Sequence, residues 1–259
     1  MRNGIQFATL GVLSLWFPIH VAATTVLVFV SPQEAVIATD SLSNRMEGGQ
    51  RFVCKVAQVS EHMLFVATGT GSTENPHFNP YELARINSMN GRSPREAAIK
   101  YSSEALPTLQ TIWRLNRSRY FDIGAINSTR PTGPQDFLFI GLNQNGLISA
   151  SGSSFVEDPE SPPRLRVNEI HEFAGEHAED IFLYKSGVVE SLPSDKEINR
   201  WIWTIGATAG LKRAIEIQIK ATPKLVGGKI SVVRLRRDGS ISWVEQGICL
   251  QPNIGSGIA

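Results

Sequence analysis

The sequence is poor in the residues that build metal and redox centres. Its 259 residues include two cysteines, Cys54 and Cys249, and these form no CxxC pair. His62, His77, His171 and His177 are scattered without the spacing of a zinc site. No cofactor motif stands out, since Gly69-Thr70-Gly71 is too short for a phosphate-binding loop. An excess of one charge is also missing. With 25 Lys+Arg against 24 Asp+Glu, the formal net charge is +1, which gives no basis for a nucleic-acid surface or a polybasic membrane patch. No internal repeat or low-complexity tract appears, and no boundary is strong enough to split residues 24–259. What remains is ordinary globular composition, 42% hydrophobic and 19% charged, in a chain long enough to bury a substantial core.

The N-terminus departs from that pattern. Residues 1–6 carry one charge, Arg2, and no acid; Phe7 to Val21 is almost wholly apolar; Val21, Ala22 and Ala23 are small. A basic start, a short apolar run and a small-residue exit are the parts of a secretory signal peptide. The run falls short of the about 20 apolar residues of a membrane span, and Pro18 and His20 interrupt it. The expectation is a signal peptide over residues 1–23, cleavage after Ala23 and a mature chain opening at Thr24. That chain would be periplasmic or secreted. In an oxidising compartment Cys54 and Cys249 either pair or stay as two buried thiols.

From Thr24 the pattern is strand-rich. Strands are expected at Thr24 to Val30, Ala35 to Thr39, Phe52 to Val59 and Met63 to Thr68. Asn79-Pro80 opens one helix and the Ser93/Glu96 pair opens a longer one, which Pro107 should kink or divide. A hairpin turns at Asn145-Gly146, residues 157–168 read as a loop, and residues 169–203 give no clear pattern. Ala209 to Ala221 reads as a helix, and a last hairpin turns at Asp238-Gly239. Trp201, Trp203 and Phe182 are expected in the core. The order of strands, two helices, strands, helix and strands implies an α+β protein with helices covering sheets.

Three polar residues lie at the ends of, or within, apolar strands: Thr24, Asp40 and Lys55. Singly, each has an ordinary explanation as a post-cleavage residue, a turn former or a solvated lysine. Together they meet one chemical need. An N-terminal threonine offers a hydroxyl nucleophile and, in its own α-amine, a base with a reference pKa of about 8. A nearby lysine would hold that amine unprotonated by like-charge repulsion, and a carboxylate would orient the lysine. The Gly69 N–H would bind the developing oxyanion.

Thr24-Thr25-Val26-Leu27-Val28, Ile37-Ala38-Thr39-Asp40-Ser41, Cys54-Lys55-Val56 and Phe65-Val66-Ala67-Thr68-Gly69-Thr70-Gly71 resemble the first third of proteasome β-type subunits and of HslV-type protease subunits. Gly206-Ala207-Thr208-Ala209-Gly210 looks like the family's Gly-Ser-Gly turn, with Ala207 or Thr208 at the serine that helps activate the amine. Val226-Gly227-Gly228-Lys229-Ile230 looks like the family's Gly-Gly segment, but Pro223 and Val226 stand where many members have Asp and Ser. The resemblance implies the four-layer αββα sandwich of N-terminal-nucleophile (Ntn) hydrolases and threonine-dependent amide hydrolysis. The implied catalytic set is Thr24, Asp40, Lys55, Gly69 and Thr208. The expected substrate is a peptide or small amide, met by the chain alone or as a homo-oligomer, with no ATPase partner. The alternatives are a non-catalytic structural or binding module and an amidase or acylase of non-peptide amides.

Overall fold

The structure is a computed structural model that describes residues 25–44, 50–69, 78–89, 91–126, 134–177 and 179–249. In chain order the strands are β1 (Thr25–Val30), β2 (Glu34–Thr39), β3 (Leu42–Asn44), β4 (Gln50–Phe52), β5 (Val56–Ser60) and β6 (Met63–Gly69). Two helices follow, α1 (Pro80–Asn87) and α2 (Pro94–Ile126), then β7 (Gln135–Leu142), β8 (Ile148–Glu157), β9 (Leu165–Val167), β10 (His171–Ala174) and β11 (Phe182–Gly187). The last described elements are α3 (Asp195–Ile205), α4 (Ala207–Ala221), β12 (Ser231–Arg236) and β13 (Ile241–Glu245). The protein is therefore mixed α and β. Its strands form two antiparallel sheets and a β3–β4 ribbon: one sheet has the order β11-β1-β2-β12-β13, the other β10-β8-β7-β6-β5 with β9 beside β8.

Side-chain alternation explains the packing. In β1, Val26, Val28 and Val30 join an apolar cluster with Leu64, Val66, Leu138 and Ile140 of the six-stranded sheet. Leu27 and Phe29 point the other way, into a cluster with Ile198, Trp201, Leu211 and Ile215 of α3 and α4. A third cluster joins Phe65, Phe137, Phe139 and Phe155 to Ala98, Tyr101, Leu109 and Trp113 of α2. Strand β1 is thus covered on both faces, and for that reason its sequence is a continuous apolar run.

Local signals set several boundaries. Asn79 caps α1 by accepting from the Tyr81 and Glu82 N–H groups. Ser93 and Glu96 close the expected capping box at α2. Pro107, however, does not divide α2, which runs through it as one helix of 33 residues. A proline inside a helix costs about 3 kcal/mol. Beyond it Leu109, Ile112 and Trp113 are all buried in the α2 cluster, at roughly 1.5–3 kcal/mol each, so packing outweighs the break. The stretch without a clear pattern holds β10, β11 and α3, the last with its own box between Ser194 and Glu197. Of the three expected core aromatics, Trp201 is buried and Phe182 packs between the sheets, but Trp203 is 71% exposed. No helix of the described residues is long and apolar enough to cross a membrane.

Candidate active site

Asp40 follows directly on β2 and is 1% exposed. Among the described residues its carboxylate takes four hydrogen bonds. Oδ1 accepts from the Thr25 N–H at 2.8 Å and from Lys55 Nζ at 2.7 Å. Oδ2 accepts from the N–H groups of Leu42 and Gly227, each at 3.1 Å. Four is about what two carboxylate oxygens can hold. One side chain therefore ties together the start of β1, the entry to β5 and the segment between α4 and β12. The Gly227 carbonyl returns two bonds, accepting from the N–H groups of Ser41 and Leu42.

Lys55, immediately before β5, is 2% exposed. Its Nζ donates to Asp40 and to the Leu42 carbonyl. Burial pushes its pKa below the usual lysine value, and the Asp40 charge and hydrogen bond oppose that fall. This is not the solvated lysine of a half-exposed strand. A lysine is removed from water at this cost only where its charge has a partner, and here the partner is Asp40.

Thr24 lies outside the described residues. Its neighbour Thr25 is fully buried, and its Oγ1 donates to the Val188 carbonyl at 2.9 Å. Thr25 stands opposite Gly187 of β11. Gly69 ends β6 with φ +88°, and a Cβ there would meet the Pro134 carbonyl oxygen at 2.3 Å, so only glycine fits. Beside it, Thr68 Oγ1 lies 2.6 Å from Ser186 Oγ, and Ser186 donates to Asp136 at 2.6 Å. The two sheets are thereby linked at the end where β1 begins.

Thr208 is not brought to this cluster. It sits in the first turn of α4, where its hydroxyl accepts from Arg234. Arg234 pairs in register with Val36, towards the opposite end of β2 from Asp40. The fifteen residues of α4 span about 22 Å at 1.5 Å per residue, and it is the segment after its far end that reaches Asp40. The glycine turn at Gly206 is a helix–helix junction and not part of the site. The same geometry brings in Thr68, Asp136 and Ser186, which the sequence reading did not single out. Their signal in sequence is slight: Thr68 and Ser186 each precede a strand-ending glycine with positive φ.

No protein-family model matches this chain. Nor does any curated protein match it in sequence. The chemistry of the site therefore rests on its own residues. Among the described residues no group of three or more His, Cys, Asp or Glu side chains is arranged to hold a metal.

Proposed function

We propose that the chain is an exported N-terminal threonine hydrolase with a proteasome-like αββα sandwich, acting on a peptide or another small amide. The observation that carries this reading is the buried Asp40–Lys55 pair, whose carboxylate accepts from the N–H of Thr25, the residue that follows Thr24 in the sequence. The sequence of apolar clusters (helices on sheet, sheet on sheet, sheet on helices) supports the four-layer arrangement. The signal-peptide pattern supports export and a free amine at Thr24.

In this mechanism the Thr24 hydroxyl oxygen bonds to the substrate carbonyl carbon. Its proton passes to the Thr24 α-amine, through a water where the two are not in direct contact. Lys55, held by Asp40, disfavours a second positive charge nearby and so keeps that amine a base. The carbonyl oxygen becomes an oxyanion, met by the Gly69 N–H. Collapse breaks the C–N bond, and the leaving amine takes the proton back from the α-ammonium. Water then attacks the threonyl ester with the same amine as base, releasing the acid and the free hydroxyl.

A second reading, the non-catalytic module, has one observation in its favour. Val226 is fully buried against Val188, so no hydroxyl occupies the position where many proteasome-type chains carry a serine. The decisive experiment is N-terminal sequencing and intact mass of the protein from its native host, followed by Thr24→Ala. A chain beginning at Thr24 that hydrolyses peptide amides, and loses at least about 1,000-fold in kcat as Thr24→Ala, supports the hydrolase. A chain beginning elsewhere leaves Thr24 without its base and favours the module.

A further inference from the structure

Among the described residues, two polar links cross between the sheets at the end where β1 begins. One is the Lys55–Asp40 pair, from the entry of β5 to the end of β2. The other is the chain Thr68, Ser186 and Asp136. Thr68 of β6 and Asp136 of β7 are cross-strand partners in the six-stranded sheet. Ser186 of β11 stands opposite Val26 in the five-stranded sheet. In that sheet β1 lies between β11 and β2, so the start of β1 is flanked by the two links.

The direction of the second link is fixed. A carboxylate only accepts, and a hydroxyl has one proton. Ser186 gives its proton to Asp136, so Thr68 must donate to Ser186 across their 2.6 Å contact. Thr68 and Ser186 are 6% and 4% exposed, so water does not readily replace either hydroxyl. Apolar side chains would join two sheets without the desolvation cost of three polar groups. What the polar chain adds is direction: it fixes how the end of β6 faces β11.

We propose that Ser186, anchored on Asp136, is a positioning residue for the oxyanion donor. This rests on the N-terminal threonine reading. Through Thr68, Ser186 sets the orientation of the adjacent Gly69 N–H relative to the first residue of the mature chain. Lys55 and Asp40 set the base side of the reaction; Thr68, Ser186 and Asp136 set the acceptor side. A misplacement of about 1 Å at such a donor costs up to about 100-fold in rate.

The test uses the mature full chain, with Ser186→Ala, Asp136→Asn, Thr68→Val and Thr68→Ser. Four quantities are read: kcat, KM, inhibition by a peptide aldehyde and inhibition by the matching peptide alcohol. The aldehyde forms a tetrahedral oxyanion on the nucleophile and the alcohol does not. Ser186→Ala and Thr68→Val should lower kcat about 10- to 100-fold with KM nearly unchanged. They should weaken the aldehyde by the same factor and leave the alcohol alone, and Thr68→Ser should restore the loss. Asp136→Asn keeps the side-chain shape and gives an intermediate loss, which keeps the test open if Ser186→Ala does not fold. An unchanged kcat, or aldehyde and alcohol weakening together, overturns the proposal. Hydrogen exchange of the segment 63–69 is independent of activity. It should speed up in Ser186→Ala while the rest of the chain holds, and equal exchange overturns the positioning role. If Thr24→Ala hydrolyses as fast as the wild type, the nucleophile reading falls instead, and exchange still decides whether Ser186 holds this turn.

Discussion

Lys55 and Asp40 are unequal partners, and their other contacts say which loss is worse. Without Lys55, Asp40 keeps three backbone N–H donors. Without Asp40, the buried ammonium keeps, among the described residues, only the Leu42 carbonyl, while the Thr25 and Gly227 N–H groups lose their acceptor and the Leu42 N–H is left with the Gly227 carbonyl. Asp40→Ala is therefore expected to cost about 3–5 kcal/mol and Lys55→Met about 1–3 kcal/mol, read from urea unfolding of the mature chain. Equal costs would contradict this ordering. The pH dependence has a definite sign. Lys55 binds its proton less tightly when folded than at its ordinary value of 10.5. Between the lowered value and 10.5 the unfolded chain holds more protons, so this group's contribution to stability rises with pH there. The rise should be missing from Lys55→Met. At this scale the sequence was informative: a charged residue at the end of an apolar strand is conspicuous. Ser186 and Asp136 were not. Serine and aspartate near a strand end are ordinary, and only pairing across 118 and 50 residues joins them to Thr68.

Among the elements, α3 and α4 show where pattern reading meets its limit. The glycines of Gly206 to Gly210 resembled a catalytic turn, but their reason is packing. Gly206 turns the chain with φ +87°, and a Cβ on Gly210 would lie 2.9 Å from the Ile202 nitrogen and 3.2 Å from the Trp201 carbonyl carbon. Those are backbone atoms of the neighbouring helix. Alanine in place of a helical glycine normally gains about 1 kcal/mol, and overpacking costs about 1–3 kcal/mol. Gly210→Ala should therefore lower the thermal midpoint; a higher one would show that α3 can move aside. Trp203 follows the same logic of faces. The buried stripe of α3 is Ile198, Trp201 and Ile202, and one further residue turns about 100° away from it. The caps at Asn79 and Ser93 were readable because capping is local. The Ser194/Glu197 box was equally local, but β10 and β11 before it are short and largely half-exposed and show no clean alternation.

On the scale of the whole molecule, the α+β class followed from the order of elements, but which strand lies beside which did not. Strand β1 pairs with β11, more than 150 residues away, and no local rule specifies that. The cysteines make the same point. Sequence allowed either a bond or two thiols; in the fold Cys54 and Cys249 are joined, with Ser231 Oγ 3.3 Å from the Cys249 sulfur. The bond closes a loop with a sequence separation of 195 and anchors the residue directly before Lys55. Replacing both cysteines by serine should cost roughly 2–5 kcal/mol, measured in guanidinium against the oxidised wild type. No loss would mean that the unfolded chain gains little freedom from the cut. The closed loop also divides the molecule mechanically. A force applied to the two ends passes through the sulfurs and leaves everything between them slack. Strands β1 and β2 precede Cys54, and both lie inside the five-stranded sheet. A pulled, oxidised molecule would shed these two first, and with them Thr25 and Asp40, while α2 and the six-stranded sheet stay unstretched inside the ring.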